Sequence, residues 1–380
     1  MKIALISLHS FYNPGGVKRH ILGLHDEFGK LGVESKIIAP RRAAGERYGK
    51  DVILLGTSFM FPFGGSLSDL SVNFNPLAIG EVLKREKFDV LHFHNFGLPA
   101  SLQFLVNPSA ADALNILTFH SSMEGSQVYK NFPEFFYPIK KIVDWKIDGI
   151  IGVAPFILSK YFDDFPRKKA YIPNGIDLEQ FNPSVRPVKS IAKKNTVKIL
   201  FLGRLDKRKG LIYLLYAYRA LAKQFSNIEL IIVGNGPERA RCKNYVKKHR
   251  LPRVNFLGAV DEKKAPSFYR SSDIYCSPAT SGESFGIVLV EAMAVGLPVA
   301  AFANEGYVQV LGKGLGKKFL AKPKNWRELA SKLALLIKNR ELRKEAGRWG
   351  IEEAKNYGWP EIAARILEFY QACSQDRQKS

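Results

Sequence analysis

Residues 282–300 read Gly282-Glu-Ser-Phe-Gly-Ile-Val-Leu-Val-Glu-Ala-Met-Ala-Val-Gly-Leu-Pro-Val-Ala300, and every other segment is read from this one. A glycine-flanked loop carries Glu283. A short apolar helix opens near Gly286 and stops at Gly296-Leu-Pro298, where glycine caps it and proline cannot continue it. The backbone N–H groups at such a helix start lack intrahelical partners and can hold an anion such as a diphosphate. Glu291 lies among Val, Leu, Ala and Met. A carboxylate buried there is costly unless it meets hydrogen-bond donors, and sugar or ribose hydroxyls are such donors. A packing helix with one satisfied glutamate accounts for the same residues without a ligand, so the stretch alone leaves both readings open.

Outward from it, strands alternate with helical patterns. Lys2–Ser7 is a strand, followed by the turn Asn13-Pro-Gly-Gly16, a helical stretch over Val17–Leu31 and a strand at Glu34–Ala39. That is a β–loop–α–β unit of the doubly wound type. Further strands fit Val52–Leu55, Val90–His94, Asn115–Phe119 and Gly149–Val153. A proline- and lysine-rich stretch then leads to a second such series: a strand at Val197–Leu202, a helix at Leu211–Gln224 and strands at Ile228–Val233, Val254–Leu257, Ile274–Cys276, Pro298–Ala301 and Lys318–Leu320. The expected division is an α/β domain over 1–172, a linker over 173–196, a second α/β domain over 197–357, and a last helix, 358–380, that crosses back to the first. Two doubly wound halves imply a cleft lined by the C-terminal ends of both sets of strands.

Composition is that of a soluble globular protein, 46% hydrophobic and 24% charged over 380 residues. No signal peptide is read at the N-terminus: the apolar run Ile3–Leu8 is short, contains Ser7 and lacks a following cleavage site. The longest apolar run, Gly286–Ala303, holds Glu291 and Pro298 and is not read as membrane-spanning. Cys242, Cys276 and Cys373 form no metal or disulfide framework, which fits a reducing cytoplasm. The net charge of +22 is uneven, +6 in residues 1–195 and +16 in 196–380. A surplus of this size favours polyanionic partners.

Several groups carry chemistry. Gly203-Arg204 follows a strand, and Arg208-Lys209-Gly210 opens the next helix. Cations at a helix N-terminus oppose its dipole, and a bound diphosphate removes the conflict, so Arg204 and Lys209 are the expected diphosphate ligands. Gly16 lets a backbone approach a ligand closely. Gly234-Asn-Gly236 begins like a dinucleotide fingerprint, but Arg239 stands where the third glycine belongs, which excludes a nicotinamide dehydrogenase. His92, His94 and His120 end two strands. A His-x-His pair with a third histidine is compatible with a metal, but the remaining ligands are not evident, and no metal is expected. Residues 127–145 interleave aromatics with lysines, a pattern that suits either a membrane interface or a core helix with a wet face.

Taken in order, Pro14-Gly-Gly-Val17, Thr118-Phe-His120, Ile172-Pro-Asn-Gly175, Phe201-Leu-Gly-Arg204, Arg208-Lys-Gly210, Ile232-Val-Gly234 and Gly282–Ala294 resemble the family 4 glycosyltransferases of the GT-B fold, and among them the phosphatidyl-myo-inositol mannosyltransferases. The resemblance implies a retaining, metal-independent hexosyltransferase with two Rossmann-like domains. Its donor is a nucleotide-diphosphate sugar, with GDP-mannose as the first candidate, and its acceptor a lipid or polyol phosphate such as phosphatidylinositol. It implies that Arg204 and Lys209 stabilise the leaving diphosphate, and that Glu283 contacts the donor sugar beside Ser284, Phe285 and Gly286. Glu291 would accept from ribose, Gly16 and Gly234 would lie at the diphosphate, Glu262 would read the base, and His120 would touch the sugar. Lys18 and Ser121 are the acceptor candidates, Lys18 because Met123-Glu-Gly125 stands where the inositol-lipid enzymes carry a basic residue. No cofactor beyond the substrate and no nucleic acid is expected. The place of work would be the cytoplasm, peripherally on the inner face of the membrane. Transfer from a UDP-sugar to a saccharide or diacylglycerol is the alternative within the fold, and a non-enzymatic basic binding protein the alternative outside it.

Overall fold

Lys-Ile-Ala-Leu-Ile-Ser, strand β1 (Lys2–Ser7), is buried from its second residue on, as a strand covered on both faces must be. The computed structural model describes residues 1–12, 15–63, 66–73, 75–97, 99–121, 137–192 and 196–379. Asn13, Pro14, Met123-Glu-Gly125 and most of the aromatic–lysine segment lie outside them.

The chain divides into two units, residues 1–175 with 359–380, and residues 176–358. The segment read as a linker is split between them at Gly175/Ile176. In the first unit β1 is joined by β2 (Glu34–Arg41), β3 (Val52–Phe63), β4 (Ser66–Val72), β5 (Val90–His94), β6 (Leu114–Phe119), β7 (Gly149–Gly152) and β8 (Lys168–Tyr171). Their order is β4-β3-β2-β1-β5-β6-β7-β8, all parallel except the β3–β4 pair. In the second unit β9 (Val197–Leu202), β10 (Ile228–Val233), β11 (Val254–Gly258), β12 (Ile274–Ser277), β13 (Val299–Phe302) and β14 (Leu320–Ala321) run in the order β11-β10-β9-β12-β13-β14, all parallel. Each sheet reverses its strand order once, between β1 and β5 and between β9 and β12, and in open α/β sheets ligands bind beyond the strand ends at such a point.

Differences from the sequence expectation lie at the edges. The strand expected at Val52–Leu55 continues to Phe63 and pairs antiparallel with β4. Gly56 lets it do so: at φ +82°, a Cβ there would lie 2.9 Å from the Val72 carbonyl oxygen. Strand β8 escaped notice because Lys168 and Lys169 break any apolar pattern, as charge on an edge strand does. The strand expected at Lys318–Leu320 is instead a 3-10 helix, Gly314–Phe319, with only Leu320–Ala321 in the sheet.

The last helix, Trp359–Lys379, belongs to the first unit. Its buried positions Trp359, Ile362, Ala363, Ile366, Phe369, Tyr370 and Cys373 recur every three or four residues and join the core formed by Ile3, Ile21, Leu24 and Phe28. Arg365 donates to the Tyr171 carbonyl at 2.7 Å and Arg377 to the Ala113 carbonyl at 2.6 Å. The Trp359 ring fills the space above two glycines: a Cβ on Gly23 or on Gly175 would lie 2.2 or 2.3 Å from its ring atoms. Among the described residues no helix is long and apolar enough to cross a membrane.

Candidate active site

In the second unit, the reversal point gathers the loop after β9 and the loop after β12. Gly210 (φ +69°) starts the helix Leu211–Leu221, and a Cβ there would lie 2.1 Å from the Pro278 carbonyl oxygen. The two loops are stitched together: Thr280 N–H donates to the Arg208 carbonyl at 2.9 Å and Arg208 Nη1 donates to the Gly282 carbonyl at 2.9 Å. Lys209 N–H is held by Asp206 Oδ1 at 2.9 Å. Glu283 is thereby placed between two cations, with Arg208 Nη1 at 2.5 Å and Lys209 Nζ at 2.8 Å. Both bond to Oε1, and Oε2 has no hydrogen bond to a described residue.

Burial pushes the Glu283 carboxyl up, but the opposing pull of Lys209 and Arg208 is larger and holds it below the ordinary carboxylate value. Glu283 is therefore ionised at neutral pH, and the three groups together carry one net positive charge. Arg204 adds another: it is exposed at the end of β9 and has no ion-pair partner among the described residues.

Gly286 (φ +101°) is the residue before the helix Ile287–Ala294, and its missing Cβ admits the ring of Tyr307, which would otherwise be 2.6 Å away. Tyr307 is locked in turn by Ser277 Oγ at 2.7 Å and by its N–H bond to Asn304 Oδ1 at 3.0 Å. Ser284 is half-buried, and Phe285 is buried with its ring 5.4 Å from that of Tyr357. Glu291 is 2% exposed and accepts from Tyr269 Oη at 2.9 Å, so part of its hydrogen-bonding capacity is met inside the unit. Gly234 (φ +133°) is required by packing, since a Cβ would lie 1.9 Å from the Gly203 carbonyl oxygen. Glu262 is exposed in the 3-10 turn Glu262–Lys264.

In the first unit, Gly15 and Gly16 precede and open the helix Gly16–Lys30, and a Cβ on either would meet nothing within 4 Å. This helix start is open, and packing does not demand glycine there. Lys18, expected as a phosphate contact, instead folds back: its Nζ donates to the Phe11 carbonyl at 2.6 Å and lies 5.7 Å from the centre of that ring. Ser121 is exposed beyond β6. His120 is not free for a sugar as expected. Its Nε2 is 3.0 Å from His94 Nδ1 and its Nδ1 3.1 Å from Asn174 Oδ1, so a sugar contact requires one partner to leave. Sequence reading passed over Arg208 as a partner of Glu283, and over His20, Asn174, Tyr269 and Tyr307. Arg208 and Asn174 had a visible signal, their places in the Arg208-Lys-Gly210 and Ile172-Pro-Asn-Gly175 runs.

Residues 14–180 match the family described as Glycosyltransferase Family 4, and residues 186–353 match glycosyl transferases group 1. The phosphatidyl-myo-inositol mannosyltransferase of Mycobacterium leprae is 31% identical over 389 aligned positions, covering 100% of this chain and 99% of its own. Among solved structures, sucrose-phosphate synthase of Thermosynechococcus elongatus superposes with a TM-score of 0.76 at 20% identity, over 99% of this chain and 100% of that one. The Anabaena protein HepE, solved with UDP and glucose, does so at 0.73 and 19% identity, over 98% and 99%. The chain therefore belongs to the family 4 glycosyltransferases and has their GT-B fold.

Proposed function

We propose that the chain is a retaining transferase that moves a hexose, mannose from GDP-mannose, onto a lipid or polyol-phosphate acceptor of the phosphatidylinositol type. The observation that carries the donor half of this reading is the one-sided pairing of Glu283. Two cations hold its carboxylate ionised through Oε1, and Oε2 is left to accept from a sugar hydroxyl. Lys209 and the exposed Arg204 then face the diphosphate, whose negative charge grows as the sugar–phosphate bond breaks. The open start of the helix Gly16–Lys30 offers N–H donors to the same kind of group. With the leaving charge met by these residues, transfer needs no divalent cation at the diphosphate. In this mechanism the acceptor attacks the face the diphosphate leaves, and the leaving phosphate oxygen takes the acceptor's proton. Mannose and the lipid acceptor rest on the mycobacterial relative. An enzyme of this kind works as a peripheral protein at the cytoplasmic face of the membrane.

Calorimetric titration of GDP, UDP and ADP and their hexose conjugates, with and without Mg2+, tests the donor. Selective micromolar binding of the GDP series without Mg2+ is the expected result. Selective binding of UDP moves the donor to a UDP-sugar, and a strict requirement for Mg2+ or Mn2+ overturns the mechanism.

A further inference from the structure

Behind the strand ends of the first unit lies a cluster of four buried histidines. His20 comes from the helix Gly16–Lys30, His92 and His94 from β5, and His120 from the residue after β6. His20 is 4% exposed, His94 0% and His120 9%. Both ring nitrogens of His92 are taken, by Thr118 Oγ1 at 2.6 Å and Tyr370 Oη at 2.7 Å. Both nitrogens of His120 are also paired, Nε2 with His94 Nδ1 at 3.0 Å and Nδ1 with Asn174 Oδ1 at 3.1 Å, whereas His20 and His94 differ. Among the described residues, neither Nδ1 nor Nε2 of His20 has a hydrogen-bond partner, nor does Nε2 of His94. Three unpartnered polar atoms so close together and so deep are unusual in a folded protein, because each costs free energy unless something binds it.

The rings are arranged around a common point. One nitrogen from each of His20, His94 and His120 can be chosen so that all lie within 4.8 Å of one another. Ring centres are 5.3 Å apart for His20 and His94, 5.3 Å for His94 and His120, and 4.7 Å for His20 and His120. Three imidazoles bound tetrahedrally to one ion at about 2.1 Å place their ring centres about 5 Å apart. Asn174 Oδ1, at 3.1 Å from His120 Nδ1, is positioned to accept the proton of that nitrogen and leave Nε2 unprotonated, the usual arrangement behind a metal-bound imidazole, and an ion bound there replaces the 3.0 Å contact of that Nε2 with His94 Nδ1.

We propose that His20, His94 and His120 form a binding site for one late first-row divalent ion of the zinc, cobalt or nickel kind, with an oxygen of water or a hydroxyl in the fourth position. The all-nitrogen donor set selects against Mg2+ and Ca2+, which require oxygen ligands. Burial keeps all four imidazoles neutral at pH 7, the form that ligates. An ion here ties the first helix to the ends of two adjacent strands.

The test is titration of Co2+ into the full chain after chelator treatment, followed by visible absorption. The expected result is one equivalent bound, with the intense bands of a four-coordinate ion, displaced by Zn2+ but not by Mg2+. His20→Gln and His94→Gln should each weaken binding at least tenfold, and His92→Gln should keep it. A wild-type chain that takes up no cobalt, or a cobalt spectrum unchanged in His20→Gln, overturns the site and assigns the cluster to ordered water. Nitrogen NMR of the histidine rings in the wild-type chain needs no variant. Zn2+ should shift one ring nitrogen in each of three histidines and leave His92 in place, and unshifted rings overturn the proposal. Nucleotide binding, measured on the same samples, stands or falls independently.

Discussion

The two sheets reverse strand order at equivalent places, between β1 and β5 and between β9 and β12, yet the side chains set there handle charge in opposite ways. In the second unit Glu283 stays ionised because Arg208 and Lys209 bond directly to it. In the first unit His20 and His92 have no such counter-charge, and burial holds both down to about 3, with repulsion among the histidines adding to it. Topology fixes where a functional group can stand, and local pairing decides whether it stands there as an ion. A diphosphate needs the first kind of site, and a late first-row divalent ion or a neutral hydroxyl suits the second.

The most damaging test of this contrast is Lys209→Ala. Loss of one cation from the place where charge develops should lower the transfer rate by about 10²–10³-fold with the fold unchanged. A near-normal rate in a folded variant would remove the second unit's claim to the diphosphate. Next comes Gly234→Ala, where the Gly203 carbonyl oxygen leaves no room for a Cβ and φ is +133°. A cost of about 2–4 kcal/mol is expected in denaturant unfolding, and a neutral result would mean that packing does not explain this glycine.

Acid separates the two units in chelator-treated protein. The histidines bind protons more readily unfolded than folded, so their contribution to stability is complete above about pH 6.5. It is lost as pH falls towards about 3, with a slope of up to ~1.4 kcal/mol per pH unit for each. Glu283, with its folded value below the ordinary one, contributes fully above about 4.5 and loses its contribution only as pH falls through the lower folded value. Unfolding profiles of His92→Gln should therefore flatten between pH 3 and 6.5, and those of Glu283→Gln only below about pH 4.5. The same window in both variants would erase the distinction. The smallest effect is expected at Gly16→Ala, where stability should change by no more than about 0.5 kcal/mol because the added Cβ meets nothing. A clear loss of nucleotide affinity in that variant would sharpen the comparison by showing that the role of Gly16 lies in binding and not in packing.

Legibility followed the same division. Strands β1, β5, β9 and β10 were readable to the residue because each is mostly β-branched and other apolar residues, interrupted by at most two polar or charged ones, with a clear break at both ends. Glu283, Arg204 and Lys209 stand out in the sequence because charge beside glycine at a helix start needs a reason, and the structure pairs the first with the third. The histidine cluster was only half readable. His94 and His120 stood at strand ends, but His20 sits in the middle of an ordinary amphipathic helix, and nothing local marks it. The pairing of Arg208 with Glu283 spans 75 positions of sequence, and only folding reveals it. Lys18 shows the converse: a lysine near a glycine turn looks unengaged in the sequence, and the structure gives its Nζ to the Phe11 carbonyl.

The chain leaves the first unit at Gly175 and re-enters it at Trp359, so the second unit is one uninterrupted segment while the first is made of two. On the ribosome this sets an order. The second unit has all its residues in hand once position 358 has emerged, but the eight-stranded sheet waits for the final helix to cover Ile3, Leu24 and Phe28. Until then the gap beside Gly23 and Gly175 has no indole to fill it. The first unit is thus finished only after the second has emerged, and its core over Ile3, Leu24 and Phe28 depends on residues more than 300 positions further along the chain.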